Sequence, residues 1–367
     1  KIHILKQIMV ELKKIISKKI TLINRANLKF NYNLLNTKVG TSRIMSVVKG
    51  DAYGHGMKEC TSTLFKSGSR DFYVARLEDA KKIRIQFKQV KIYLLSGVIT
   101  PNCCHQIVKY NIIPIINNFE QLEIINKFPK KIIYILHFDT GMNRLGFKID
   151  QIDKVKEKVK TNNISSLMTH LTSSDDKDLV NSKYQLNEIK KINQFFNKPL
   201  SIANSAGIFL SKSYHLDYVR PGKSLYGINP FYKKSFGLKP VMSIYAPILQ
   251  VSNISKGQSI GYSRTYIAKK NQTIATIDFG YSDGYLRGGS SRGKVFIDDI
   301  SCPIVGRISM DLITIDVTKI NKEKLFIGRP VEILGSHQTY EEIAYETGTN
   351  EHEILISLGR NSKKVYI

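Results

Sequence analysis

The order of apolar runs predicts an α/β fold: an N-terminal (β/α)8 TIM-like barrel followed by a mainly β C-terminal domain. Three observations carry this. Short β-branched runs that end abruptly in polar or glycine residues recur eight times, at 44–48, 72–75, 92–95, 112–116, 132–136, 167–168, 202–203 and 216–219. Stretches with helical apolar spacing lie between them, such as Phe119-Leu122-Ile125 and Tyr184-Ile189-Ile192-Phe195. After Leu238 the rhythm changes to strand-like alternation punctuated by glycine turns.

Strands alternating with helices imply parallel strands buried on both faces, which explains runs that are apolar throughout rather than alternating. Eight such units fit a closed barrel; a doubly wound open sheet is the alternative that counting leaves open. In the second part the strand-like runs are 246–251, 273–279, 294–297, 312–317 and 330–334, with one helix at 340–347. The expected division is a basic leader at 1–20, a barrel at 21–237 and a β domain at 238–367. The short joint at 233–240 implies close packing of the two domains.

Composition narrows the function classes. The 367 residues are 42% hydrophobic and 23% charged, as in an ordinary folded chain. No stretch approaches the ~18 apolar residues of a membrane helix. Four cysteines are too few for a disulfide framework and lack zinc spacing, so no metal is expected. Fifty-six Lys and Arg against 30 Asp and Glu give +26, a field that can attract nucleic acid or anionic lipid. That charge is spread along a chain rich in Lys, Ile and Asn and devoid of Trp, so it reads as drift in composition, with no specific nucleic-acid partner. The leader has six Lys and one Glu among broken apolar residues, unlike a secretory signal. The expected location is cytoplasmic.

In a parallel barrel the reactive groups follow the C-terminal ends of the strands. Lys49 to Gly56 follow the first run, and His137 to Arg144 the fifth. His170 follows the sixth, Asn204 to Gly207 the seventh, and Arg220 to Gly222 the eighth. One rim therefore collects a lysine, two arginines, a histidine and a glycine–serine cradle. A lysine among apolar walls and other cations has a lowered pKa and becomes a nucleophile; a lysine snorkelling to the rim is the equal alternative on position alone. Ser205 and Gly222 stand where such barrels bind phosphate, although capping by Asn204 or Ser205 explains the same residues. A lysine with a phosphate cradle points to pyridoxal 5'-phosphate as cofactor.

At this point the chain resembles the alanine racemases. The stretch Val47-Val48-Lys49-Gly50-Asp51-Ala52-Tyr53-Gly54-His55-Gly56 is similar to their cofactor-attachment motif. Supporting stretches are 139–147, 204–207, Gly261-Tyr262, 280–285 and 306–311, in the family's order, over residues 21–360. The resemblance implies an isomerase of fold-type III that interconverts L- and D-alanine and supplies D-alanine for peptidoglycan. It implies a small amino-acid substrate and a head-to-tail homodimer with shared active sites. It implies Lys49 and Tyr262 as two catalytic bases on opposite faces of Cα, with Tyr262 lent by the other subunit. Tyr53, Ser205 and Gly222 would bind the phosphate beside Asn204, Arg220 would face the ring nitrogen, and His170 would lie against the ring. Arg144 would contact the ring hydroxyl, and Tyr281, Met310 and Asp311 would line the substrate side. The chain departs from the family pattern at His137 and Ser309.

Serine or lysine as substrate stays open, because one methylene is worth only ~1–3 kcal/mol of discrimination. A decarboxylase on the same barrel and a basic binding protein are the other readings.

Overall fold

The computed structural model describes residues 18–176, 179–231, 234–360 and 362–367. Most of the predicted leader lies outside the described residues. The chain divides into two compact units, one of residues 27–52 and 57–239, the other of residues up to 26, 53–56 and 240–367.

The first unit is a closed parallel barrel. Its strands are Arg43–Val47, Asp71–Val74, Lys91–Leu94, Ile113–Ile116, Tyr134–Asp139, Ile164–Met168, Leu200–Ser201 and Tyr218–Val219. Each pairs with the next, and Tyr218 opposite Arg43 closes the ring. The second and fifth strands are buried at every position, as apolar runs covered on both faces require. The seventh strand lies at 200–201, two residues before the expected run at 202–203. Helices between strands start where side chains can satisfy their first N–H groups: Asn118 accepts from Gln121 N at 2.9 Å, and Asn204 from Gly207 N at 3.0 Å.

The turn after the first strand departs from ordinary backbone. Gly50, Asp51, Ala52 and Tyr53 have φ of 62°, 56°, 55° and 53°. A left-handed turn costs L-residues about 1–2 kcal/mol each. Two bonds help hold it: Ala52 N donates to Val48 O at 3.0 Å, and Met57 N to Asp51 Oδ1 at 2.8 Å.

The second unit is mainly β. The 13-residue strand Met242–Ile254 is its spine, pairing antiparallel with Ile20–Ile23, Gln272–Ile277 and Pro330–Leu334. Strands Lys294–Ile297 and Ile300–Pro303 extend the sheet at one edge, and Lys364–Tyr366 pairs parallel with Ile20–Ile23 at the other. The sequence reading put residues 21–23 in the barrel; their hydrogen bonds place them here instead. It expected one helix; the described residues form two, Tyr340–Thr347 and Glu351–Arg360. Gly359 of the second helix meets the Tyr53–Gly56 turn backbone to backbone. A Cβ on Gly359 would come within 2.3 Å of Gly54 O, and one on Gly54 within 2.5 Å of Leu355 O.

Candidate active site

The barrel unit gathers seven of the predicted residues at its C-terminal rim. Lys49 follows the first strand half-buried, its side chain with no ion-pair or hydrogen-bond partner among the described residues. Burial, then the Arg144 charge, lowers its pKa. Arg144 is exposed and likewise unpartnered among the described residues.

Arg220 is only 4% exposed, and its two terminal nitrogens meet neutral acceptors. Its guanidinium donates to Ser201 Oγ, to Thr169 O at 2.6 Å, to Ile202 O at 3.3 Å and to His170 Nδ1 at 3.4 Å. A guanidinium can only donate, so His170 Nδ1 accepts and its proton sits on Nε2. Burial and then the charges of Arg220 and Arg144 hold His170 well below the usual histidine range. Tyr73 faces the same cations; burial pushes its phenol up to about 12 against their opposing pull. Among the described residues, Lys49, Arg144 and Arg220 have no carboxylate partner. Asp139, the nearby acid, is taken by Lys148 at 2.6 Å and by the N–H groups of Gly141 and Asn143 at 3.0 Å. Burial would raise its carboxyl; these partners outweigh that and hold it low.

Ser205 and Gly222 come together as expected. Ser205 Oγ accepts from Gly222 N at 3.0 Å and from Ser224 N at 3.2 Å. Asn204 caps the helix Ser205–Leu210 and accepts from Ser174 Oγ at 2.9 Å, so its side chain supports this turn. Tyr53 groups differently from Lys49: its ring packs 5.8 Å from that of His352 in the β unit.

The β unit gathers the rest. Tyr281 N donates to Ser309 O at 3.1 Å, Ser282 N to Met310 O at 2.9 Å, and Ser282 Oγ to Asp311 Oδ1 at 2.7 Å. Gly280 makes this close approach possible, since a Cβ there would meet Met310 O at 2.2 Å. Tyr262 stands on a tight turn after Gly261 (φ 74°), held near residue 307 by Arg307 donating to Ser263 Oγ at 3.1 Å. Tyr262 is 68% exposed, Tyr281 43% and Met310 55%.

Sequence reasoning missed Thr169, Ser201, Asn117, Gln185 and Tyr73. Thr169 and Ser201 hold Arg220, and Gln185 Nε2 donates to His170 O at 2.9 Å and to Thr140 Oγ1 at 3.1 Å. The available signal was a polar residue within or just past an apolar strand, which must be hydrogen-bonded if buried.

Two family models match this chain: alanine racemase, N-terminal domain, over residues 23–230, and alanine racemase, C-terminal domain, over residues 241–366. An alanine racemase of Rickettsia canadensis is 40% identical over 353 residues, covering 94% of this chain and 98% of the relative. One of Brucella suis is 35% identical over 367 residues, covering 94% and 92%. The crystal structure of alanine racemase from Bartonella henselae with covalently bound pyridoxal phosphate matches with a TM-score of 0.90 at 34% identity. It covers 96% of this chain and 100% of that one. The structure of alanine racemase from Acinetobacter baumannii matches at 0.87 and 32%, covering 96% and 100%.

Proposed function

The chain belongs to the alanine racemase family, and from that premise we propose that it interconverts L- and D-alanine with pyridoxal phosphate attached at Lys49. The observation that carries the reading is a half-buried lysine of lowered pKa on a rim whose two arginines, Arg144 and Arg220, have no carboxylate partner among the described residues. That donor set fits an anionic cofactor: an amine for its aldehyde, and uncompensated positive charge for its phosphate. Ser205 Oγ and the Gly222 and Ser224 N–H groups, already clustered, would hold the phosphate. Arg220 would face the ring nitrogen, neutral His170 would lie against the ring, and Arg144 would meet the ring hydroxyl.

When bound, the cofactor supplies an electron sink for the pair left at Cα. The chain's residues do the rest. Racemisation needs a proton taken from one face of Cα and returned to the other, hence two groups, the Lys49 amine and the Tyr262 hydroxyl. Lowering the lysine pKa increases its fraction in the proton-accepting form near neutrality. Arg220 is always protonated and has no proton to lend. Facing the ring nitrogen it would limit spreading of the electron pair and disfavour side reactions such as transamination. Tyr281, Met310 and Asp311 would line the substrate side.

We place Tyr262 in a site shared between two copies, arranged head to tail. Its support is exposure: Tyr262, Tyr281 and Met310 stand clear on the β unit. The test is direct. The purified chain given pyridoxal phosphate should turn yellow, fix the cofactor on borohydride treatment and racemise either enantiomer of alanine. Persistence of borohydride fixation and racemisation in Lys49→Ala would overturn the assignment.

A further inference from the structure

The basic leader predicted from the sequence ends beside a lysine that the fold uses and the mechanism does not. Lys19 comes immediately before strand Ile20–Ile23, whose pairing with the 13-residue spine, Ile20 opposite Tyr245, fixes where the chain stands. From there its Nζ reaches Asp283 Oδ1 at 2.6 Å and Asp278 Oδ1 at 3.9 Å. The Asp283 side chain is only 8% exposed, and its other oxygen accepts from Gly280 N at 3.1 Å. Asp283 therefore joins the lysine directly to the turn that carries Tyr281. Two further bonds hold that turn: Ser282 Oγ donates to Asp311 Oδ1 at 2.7 Å, and Ser357 Oγ donates to Gly284 O at 2.8 Å.

Charge explains why the lysine matters. Burial would lower its pKa; the Asp283 bond and the charges of Asp283, Asp278 and Asp311 outweigh that and raise it, so the ammonium stays charged. Among the described residues no other Lys, Arg or His forms an ion pair with any of the three acids. Without the ammonium, three carboxylates would stand uncompensated around this turn, and buried Asp283 would lose its partner, which leaves a buried charge unpaired. We propose that Lys19 is a positioning residue: through Asp283 it holds the turn at 280–283, and so keeps Tyr281 and the Met310 segment in place on the substrate side. The inference rests on the reading of Tyr281 and Met310 given under the proposed function.

Amide exchange and kinetics test it together. In the cofactor-free chain, the Tyr281 and Ser282 amides, which bond to Ser309 O and Met310 O, should exchange about 10-fold faster in Lys19→Met, with strand 272–277 unchanged. In the cofactor-loaded chain, Lys19→Met should raise KM for alanine about 3- to 10-fold and leave kcat within about two-fold, the split expected when ground state and transition state lose the same contact. A half-exposed lysine supports no larger effect. Lys19→Arg, which again donates to Asp283, should return KM close to that of the parent chain. The double variant Lys19→Met/Asp283→Asn should have a KM no higher than the higher of the two single variants. An unchanged KM in Lys19→Met overturns the proposal, as do losses that multiply in the double variant. So does a fall in kcat that follows the melting temperature and is not relieved by arginine. Failure of the site reading looks different: the parent chain would leave alanine unracemised while exchange at residues 281 and 282 still answered to Lys19→Met.

Discussion

The barrel rim and the β-unit cluster are built in opposite ways. On the barrel, Arg220 is buried and meets four acceptors, and His170, Lys49 and Tyr73 have pKa values moved by burial and by neighbouring cations. On the β unit, the backbone of Tyr281, Met310 and Asp311 is tightly fixed, yet the Tyr262, Tyr281 and Met310 side chains are exposed. One half is organised within a single copy. The other has a rigid frame and exposed side chains. Losing a residue of the first should cost stability and activity together; losing one of the second should cost activity alone.

The largest effect is expected from Lys49→Ala, at least about 10³-fold in kcat, as for loss of a nucleophile. Tyr262→Phe should cost about 10²–10⁴-fold, the usual worth of a general acid–base group, with a melting temperature unchanged because the ring is exposed. Mixing the two inactive variants should restore racemisation if each site takes Lys49 from one copy and Tyr262 from another. No recovery, with heterodimers demonstrated by mass spectrometry, would break the shared arrangement.

Arg220→Leu sharpens the contrast from the other side. It strands Ser201 Oγ and Thr169 O without donors, so a loss of several kcal/mol is expected, with activity falling in parallel. Calorimetry beside the assay checks whether the two losses travel together.

Gly280→Ala should cost about 1–3 kcal/mol, the range for overpacking, by driving a methyl into the Met310 carbonyl. It should also raise KM for alanine, because the Met310 segment must shift.

The most gradual effect is in pH. The folded barrel keeps His137 neutral down to about 3 and His170 neutral to well below the ordinary 6.5. Between those values the unfolded chain binds more protons. Stability is therefore full above about pH 6.5 and is lost as pH falls towards 3, by up to about 1.4 kcal/mol per pH unit for each histidine. Urea midpoints between about pH 7 and pH 5 measure the slope, and His137→Gln should flatten it.

What could be read in the chain follows from where the determining forces act. Barrel strands such as Phe72 to Val74 were legible because burial on both faces writes itself as an unbroken apolar run. The rim positions of Lys49, His170, Arg220 and Gly222 followed from those strand ends. The left-handed turn was not legible: Asp51, Ala52 and Tyr53 carry no local signature of positive φ. Nor was strand Ile20–Ile23, whose partners lie more than two hundred residues away. The Gln121–Asn117–His137 chain, in which Gln121 accepts from Asn117 N at 2.9 Å and His137 Nδ1 lies 2.8 Å from Asn117 Oδ1, was hidden for a third reason. Its polar residues look like loop residues until the barrel closes around them.

That distant pairing of Ile20–Ile23 bears on how the molecule is made. As the chain leaves the ribosome, this short apolar segment emerges early, but its antiparallel neighbour, residues 242–245, is complete only once residue 245 has been made. Its parallel neighbour comes later still, at 364–366. The whole barrel can form while the segment waits with its hydrogen-bonding edge open. A nascent chain stalled before residue 242 should therefore be sticky at its front end, and a holdase that covers that end should raise the yield.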